Sequence, residues 1–165
     1  MTGEFSATAL RAALRLELPA AEALRRGLHA LPYVSGEEGP TLKRVLDALP
    51  DGMPEHVAGT GAVVRLGGPG PSVAVRGELD ALPIAERTGV PWASVNGAMH
   101  ACGHDVHLAA VVAFARAFAR TAAQTPAGTS GPPLVVVLQP REEGFPPART
   151  TSSPRACSNA ITCAP

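Results

Sequence analysis

The run Leu134-Val135-Val136-Val137-Leu138 constrains this chain more than any other stretch. Five consecutive apolar residues, three of them β-branched, leave no face for solvent. That is the pattern of a strand buried on both sides, inside a sheet covered by other layers. Two shorter strand-like runs precede it. Ala62-Val63-Val64-Arg65-Leu66 lies between Gly61 and the segment Gly67-Gly68-Pro69-Gly70-Pro71, and Ser72-Val73-Ala74-Val75-Arg76-Gly77 follows. The Gly/Pro segment reads as a hairpin-like turn. It lacks the lysine of a phosphate-binding loop and opens no helix. Residues 7 to 31 carry Leu10, Leu14, Leu18, Leu24, Leu28 and Leu31 at helical spacing, with Pro19 as a candidate kink and Pro32 as the stop. Ser35-Gly36-Glu37-Glu38 resembles a helix start, Thr41 to Leu49 the helix itself, and Pro50-Asp51-Gly52 its end. Val106 to Ala123 reads as a third helix. The order strand, strand, helix, strand predicts an α/β layer fold.

The chemistry concentrates in Gly97-Ala98-Met99-His100-Ala101-Cys102-Gly103-His104-Asp105-Val106-His107-Leu108. A single cysteine is usually a small buried hydrophobe, and a single histidine a satisfied polar group. Three histidines, a cysteine and a carboxylate together point instead to a metal, because His and Cys are the commonest ligands of borderline cations. Cys102 and His104 are one residue apart and face one way in an extended loop. Cys102 also precedes a helix, whose dipole favours the thiolate. Two carboxylate pairs follow strands: Glu78 and Asp80 after one, Glu142 and Glu143 after another. Ligands of open α/β sheets gather at such carboxyl ends. Cys102, His104, Asp80 and the Glu142-Glu143 pair offer sulfur, nitrogen and oxygen donors, a set that suits zinc, manganese, cobalt or nickel. Adjacent glutamates can divide the labour, one binding metal and the other exchanging a proton with water during hydrolysis of an amide or ester. His29, as a single histidine, reads more readily as structural than as catalytic.

The remaining composition excludes rather than identifies. The chain has 165 residues, enough for one modest core, and a formal net charge of zero. Nothing basic suggests a nucleic acid, and no apolar run in the sequence suggests a membrane span. No signal peptide is evident at the N-terminus. Three cysteines, an odd number, fit a reducing cytoplasm better than a disulfide scaffold.

The ordered blocks Arg26…Leu28-His29…Pro32, Arg76-Gly77-Glu78-Leu79-Asp80-Ala81-Leu82-Pro83-Ile84, Gly97 to His107, and Gln139-Pro140-Arg141-Glu142-Glu143 resemble one group of enzymes. These are the metal-dependent amidohydrolases of the aminoacylase/carboxypeptidase type, including hippurate hydrolases, N-acyl-amino-acid hydrolases and indole-acetyl-amino-acid hydrolases. The resemblance covers residues from about 20 to 144, and the His-Ala-Cys-Gly-His-Asp block is its most specific part. It implies Cys102, His104 and Glu143 as metal ligands, Glu142 as general base and acid, and Asp80 as a supporting carboxylate. It implies two metal ions in the intact enzyme, a small N-acyl amino acid or peptide-like substrate, and a catalytic domain interrupted by a smaller lid or dimerisation domain, often in homo-oligomers. Two positions depart from the family pattern. Glu78 stands where Asp is usual, lengthening a carboxylate. Arg141 stands where Ala is usual, and would lower the pKa of Glu142 if the two paired.

On this resemblance, residues 1–144 are expected to form the N-terminal half of a zinc-exopeptidase-like three-layer catalytic domain, truncated before the lid. Residues 145–165, rich in Pro, Ser, Thr and Ala and carrying Cys157 and Cys163, are expected to be a non-native or disordered tail, of the kind a frameshift produces. A chain so truncated is expected to be weakly folded and inactive or nearly so. The competing readings are a non-catalytic metal-binding remnant, or a regulatory fragment that associates with an intact homologue, and a purely structural α/β domain.

Overall fold

The computed structural model describes residues 5–126 and 131–144. Helix α1, Ala7–Ala30, begins at Ser6, whose hydroxyl accepts the Ala9 amide. It runs unbroken through Pro19, which lies on the exposed side, where the backbone hydrogen bond that a proline forgoes costs least. The inward stripe differs from the leucine spacing. Ala13, Glu17 and Leu28 are buried, whereas Leu18 is 56% exposed. Glu17 is drawn in by α3, His104–Ala123, whose Arg116 and Arg120 bind its carboxylate at 3.2 and 2.7 Å. Small residues at the contact, Ala13 on α1 and Ala113 and Ala117 on α3, suit a close approach of the two helices. Helix α2, Gly39–Ala48, has Pro40 in its first turn and buries Thr41, Leu42 and Val45.

Four strands form one mixed sheet in the order β1-β2-β4-β3. Strand β1 is Pro54–Val57, β2 Gly61–Leu66, β3 Val73–Glu78 and β4 Leu134–Gln139. Strand β4 is central, antiparallel to β2 and parallel to β3, as its continuous apolar run requires. Two expectations are corrected here. Residues 67–71 do not close a hairpin, because β2 and β3 never pair and β4 lies between them. Strand β1 was not anticipated; its short, mostly exposed sequence Pro-Glu-His-Val carries no apolar period.

Alternate strand residues Ala62, Val64, Leu66, Leu134, Val136 and Leu138 meet Leu28, Leu42, Val45, Leu108, Val112 and Phe118 of the helices in one core. Each fully buried large aliphatic side chain contributes roughly 1.5–3 kcal/mol. Gly77 lets α3 approach β3: a Cβ there would lie 3.1 Å from Leu108. The described residues thus build a sheet and one helical layer of the three-layer α/β fold. Helix α3 is the one described helix long and apolar enough to cross a membrane, but half of its apolar stretch is buried, as in a core helix. The crossover β3-α3-β4 sets two carboxyl ends side by side, with Glu78 opposite Gln139 and the Leu79 amide donating to the Gln139 carbonyl at 2.8 Å. That juxtaposition places the site.

Candidate metal centre

Three segments converge beyond those strand ends. The first, Leu79–Asp80, leaves β3. The second, Pro140–Gly144, leaves β4. The third turns into α3 at Gly103, whose φ of +82° is a left-handed conformation that glycine adopts without cost. His104 is therefore the first helical residue, and its ring is buried beneath the two loops. Its Nδ1 lies 2.8 Å from the Asp80 carbonyl, so that nitrogen carries the proton and Nε2 presents a lone pair. Nε2 faces Glu142 and Glu143, each carboxylate 3.9 Å away. The three donor atoms lie within 4.8 Å of one another, beyond direct hydrogen-bond reach and at the spacing of ligands around one cation.

Asp80 is wholly buried below this cluster. Its Oδ2 accepts the Ser35 hydroxyl at 2.6 Å and the Glu143 amide at 2.9 Å, while its Oδ1 has no hydrogen-bond partner among the described residues. A carboxylate oxygen buried without a partner is costly unless a cation completes it. Together with the His, Cys and Glu donors, it fits a divalent ion. Cys102 is exposed, and its thiol donates to Glu143. That hydrogen bond, reinforced by desolvation and the surrounding carboxylates, pushes the thiol up to about 11. Without a metal, the acidic cluster thus outweighs the helix dipole and keeps Cys102 protonated. The structure brings His104, Glu142 and Glu143 into one cluster, hangs Cys102 on Glu143 at its edge, and sets Asp80 underneath.

Both departures from the family pattern resolve locally. Glu78 does not join the cluster, although it is two residues from Asp80. It takes His107 Nδ1 at 2.8 Å and Arg76 at 2.7 Å, contacts that outweigh its desolvation and lower its pKa. Arg141 does not pair with Glu142 among the described residues. Its guanidinium lies along Gly36, 3.7 Å from where a Cβ would stand. His100, also in the motif, is buried, and among the described residues neither ring nitrogen makes a hydrogen bond of good geometry; desolvation outweighs a weaker contact with the Asp80 main chain and pulls its pKa to about 4, so it is neutral.

Two structural contributors escaped the sequence reading. Ser35 binds Asp80, and Glu38 accepts the Arg141 amide at 2.9 Å. Their partners lie 45 and 103 residues away in the chain, so no local pattern signals them.

The sequence profile of peptidase family M20/M25/M40 matches residues 74–159, over half of the chain. The chain belongs to this family. An N-acetyldiaminopimelate deacetylase of Halalkalibacterium halodurans is 39% identical over 128 residues, covering 73% of this chain and 33% of the relative. An N-acetylcysteine deacetylase of Bacillus subtilis is 40% identical over 96 residues, covering 54% and 25%. The chain therefore spans a quarter to a third of the length of these relatives. Among solved structures, the Bacillus subtilis YXEP protein, described as a dinuclear metal-binding peptidase of the M20 family, superimposes with a TM-score of 0.74. It is 30% identical, covering 90% of this chain and 42% of that one. A putative aminohydrolase from methicillin-resistant Staphylococcus aureus gives a TM-score of 0.80 at 32% identity, covering 94% and 40%. The M20 likeness thus extends from the sheet to the segments that carry the cluster.

Proposed function

We propose that this chain carries part of the metal centre of an amidohydrolase that cleaves N-acyl amino acids, with Cys102, His104 and Glu143 as ligands, Glu142 as general base and acid, and Asp80 in support. The observation that carries the reading is the convergence of His104 Nε2 and the two glutamate carboxylates within 4.8 Å. A divalent cation such as zinc, manganese, cobalt or nickel, held by Cys102, His104 and Glu143, would supply Lewis-acid polarisation of a scissile carbonyl and acidification of water. Asp80 prepares the ligands: its main-chain carbonyl fixes the His104 tautomer, and its side chain holds the Glu143 amide. Glu142, about a third exposed, stays open to solvent and substrate, takes a proton from the attacking water and returns it to the leaving amine. The N-acyl amino acid class follows the named substrates of the two deacetylases. A second ion follows the dinuclear relative. The odd cysteine count supports a reducing cytoplasm as its location.

Because the chain spans a quarter to a third of those relatives, we read it as inactive or nearly so on its own. Turnover of an N-acetyl amino acid by the purified chain at about 1–10³ s⁻¹ would overturn that part. Cobalt substitution tests the ligand set. A sulfur-to-cobalt charge-transfer band is expected, lost in Cys102→Ser. For the base, Glu142→Ala should retain cobalt and lower any residual hydrolysis by roughly 10²–10⁴-fold. Hydrolysis indifferent to that change would favour a non-catalytic metal-binding role.

A further inference from the structure

Glu38 is a charged side chain with no exposed surface, far in sequence from the metal centre and absent from its ligand set. It stands at the N-terminus of α2, where its backbone carbonyl accepts the Leu42 amide. Its carboxylate is used elsewhere. Oε1 accepts the Arg141 amide at 2.9 Å, and Oε2 accepts the Thr60 hydroxyl at 2.6 Å. Arg141 is the residue just before Glu142, and its φ of 55° is a left-handed conformation rare for a residue with a side chain. A main chain held in that conformation needs a restraint, and the hydrogen bond from its amide to the Glu38 carboxylate offers one. Thr60, in the turn that precedes β2, gives that carboxylate a second hydrogen bond and so restrains its rotamer. Ser35, three residues before Glu38 in the segment ahead of α2, binds Asp80 Oδ2, which in turn takes the Glu143 amide.

We propose that Glu38 is a positioning residue for the Glu142-Glu143 doublet, acting through the Arg141 main chain, with Thr60 as its brace. The turn ahead of α2 thus grips the loop twice: at Arg141 directly, and at Glu143 through Ser35 and Asp80. The two glutamates project from between the grips. This inference rests on reading the doublet as part of a metal centre, but the grip itself has a readout of its own.

The test uses the full chain and two measurements: hydrogen exchange over residues 139–144 without metal, and Co²⁺ affinity by competition with a chromogenic chelator. Glu38→Ala is expected to speed exchange at the Arg141 amide while β4 and α3 stay protected, and to weaken Co²⁺ binding by about ten- to a hundredfold. Glu38→Gln, whose amide oxygen still accepts from Arg141, should restore both. Should Glu38→Ala fail to fold, Thr60→Val, which removes only the brace, should show the same two changes on a smaller scale. Unchanged exchange at Arg141 with unchanged Co²⁺ affinity, in Glu38→Ala or in a folded Thr60→Val, overturns the proposal, as does failure of Gln to restore them. His104→Ala and Glu143→Ala separate the grip on the loop from the metal centre. If neither weakens Co²⁺ binding, the metal-centre reading falls, while exchange at Arg141 still decides whether Glu38 grips the loop.

Discussion

His104 and Asp105 are neighbours at the start of α3, yet they belong to two different polar regions. Asp105 faces α1, where its Oδ2 meets His29 Nδ1 at 2.9 Å and Arg25 at 3.1 Å. The other ring nitrogen of His29 lies 3.0 Å from Glu86, which also takes the Thr88 hydroxyl and the Ser94 amide. His104 instead turns toward carboxylates 3.9 Å from its free nitrogen, with an Asp80 oxygen nearby that has no hydrogen-bond partner among the described residues. The inventories are alike, imidazole and carboxylates in both. One region is closed, with the charges paired by direct hydrogen bonds. The other holds donor atoms that converge within 4.8 Å without hydrogen-bonding one another. What marks a site is the unspent coordination, not the gathering of titratable groups.

The sharpest way to break this contrast is to remove His29. His29→Ala leaves the buried carboxylates of Glu86 and Asp105 without their shared cation, and should cost about 3 kcal/mol of folding stability in urea denaturation. Co²⁺ affinity of the folded fraction should change little. Equal losses in both would mean that the two regions are one. The next effect is of opposite sign and belongs to the open region. Zn²⁺ or Co²⁺ at a hundred times its dissociation constant should raise stability by about 2.7 kcal/mol, reversibly with a chelator, and His104→Ala should abolish the gain. Stabilisation that survives His104→Ala would place the ion elsewhere.

The smallest effect is the pH dependence of the closed region. Burial lowers the pKa of His29, but its bonds to Glu86 and Asp105 outweigh this and raise it above 6.5. Desolvation likewise opposes the ionisation of Glu86, yet Thr88, His29 and the Ser94 amide bring it from 4.5 to about 2. A raised histidine contributes fully below 6.5, and its contribution fades as pH climbs through the folded value. A depressed carboxylate contributes above 4.5, and its contribution fades as pH falls toward 2. Stability from this region should therefore peak between about 4.5 and 6.5, and the peak should flatten in His29→Ala. A wild-type profile with no such maximum in metal-free buffer would show that these bonds do not hold in solution.

Much of this was legible in the chain. The run from Leu134 to Leu138 announced a strand buried on both faces, and clustered donor types marked the segment from Cys102 to His104. Local periodicity could not show which strand lies beside which. The Gly/Pro-rich stretch after β2 looked like a hairpin because turn chemistry is local, whereas the insertion of β4 between β2 and β3 is decided by burial across the whole sheet. The same limit hid Glu38 and Ser35, whose partners are brought near only by the sheet. It also misplaced the inward face of α1, where two arginines of α3 draw in Glu17 and leave Leu18 outside.

That inserted strand has a consequence for how the molecule comes into being. During synthesis β2 can pair at once with β1, but β3 has no neighbouring strand until residues 134–139 leave the ribosome. Contacts of such long sequence separation close slowly. The strand that joins the β1-β2 pair to β3 is thus the same strand that leads into the glutamate pair, so closing the sheet and bringing those carboxylates to their histidine depend on one segment.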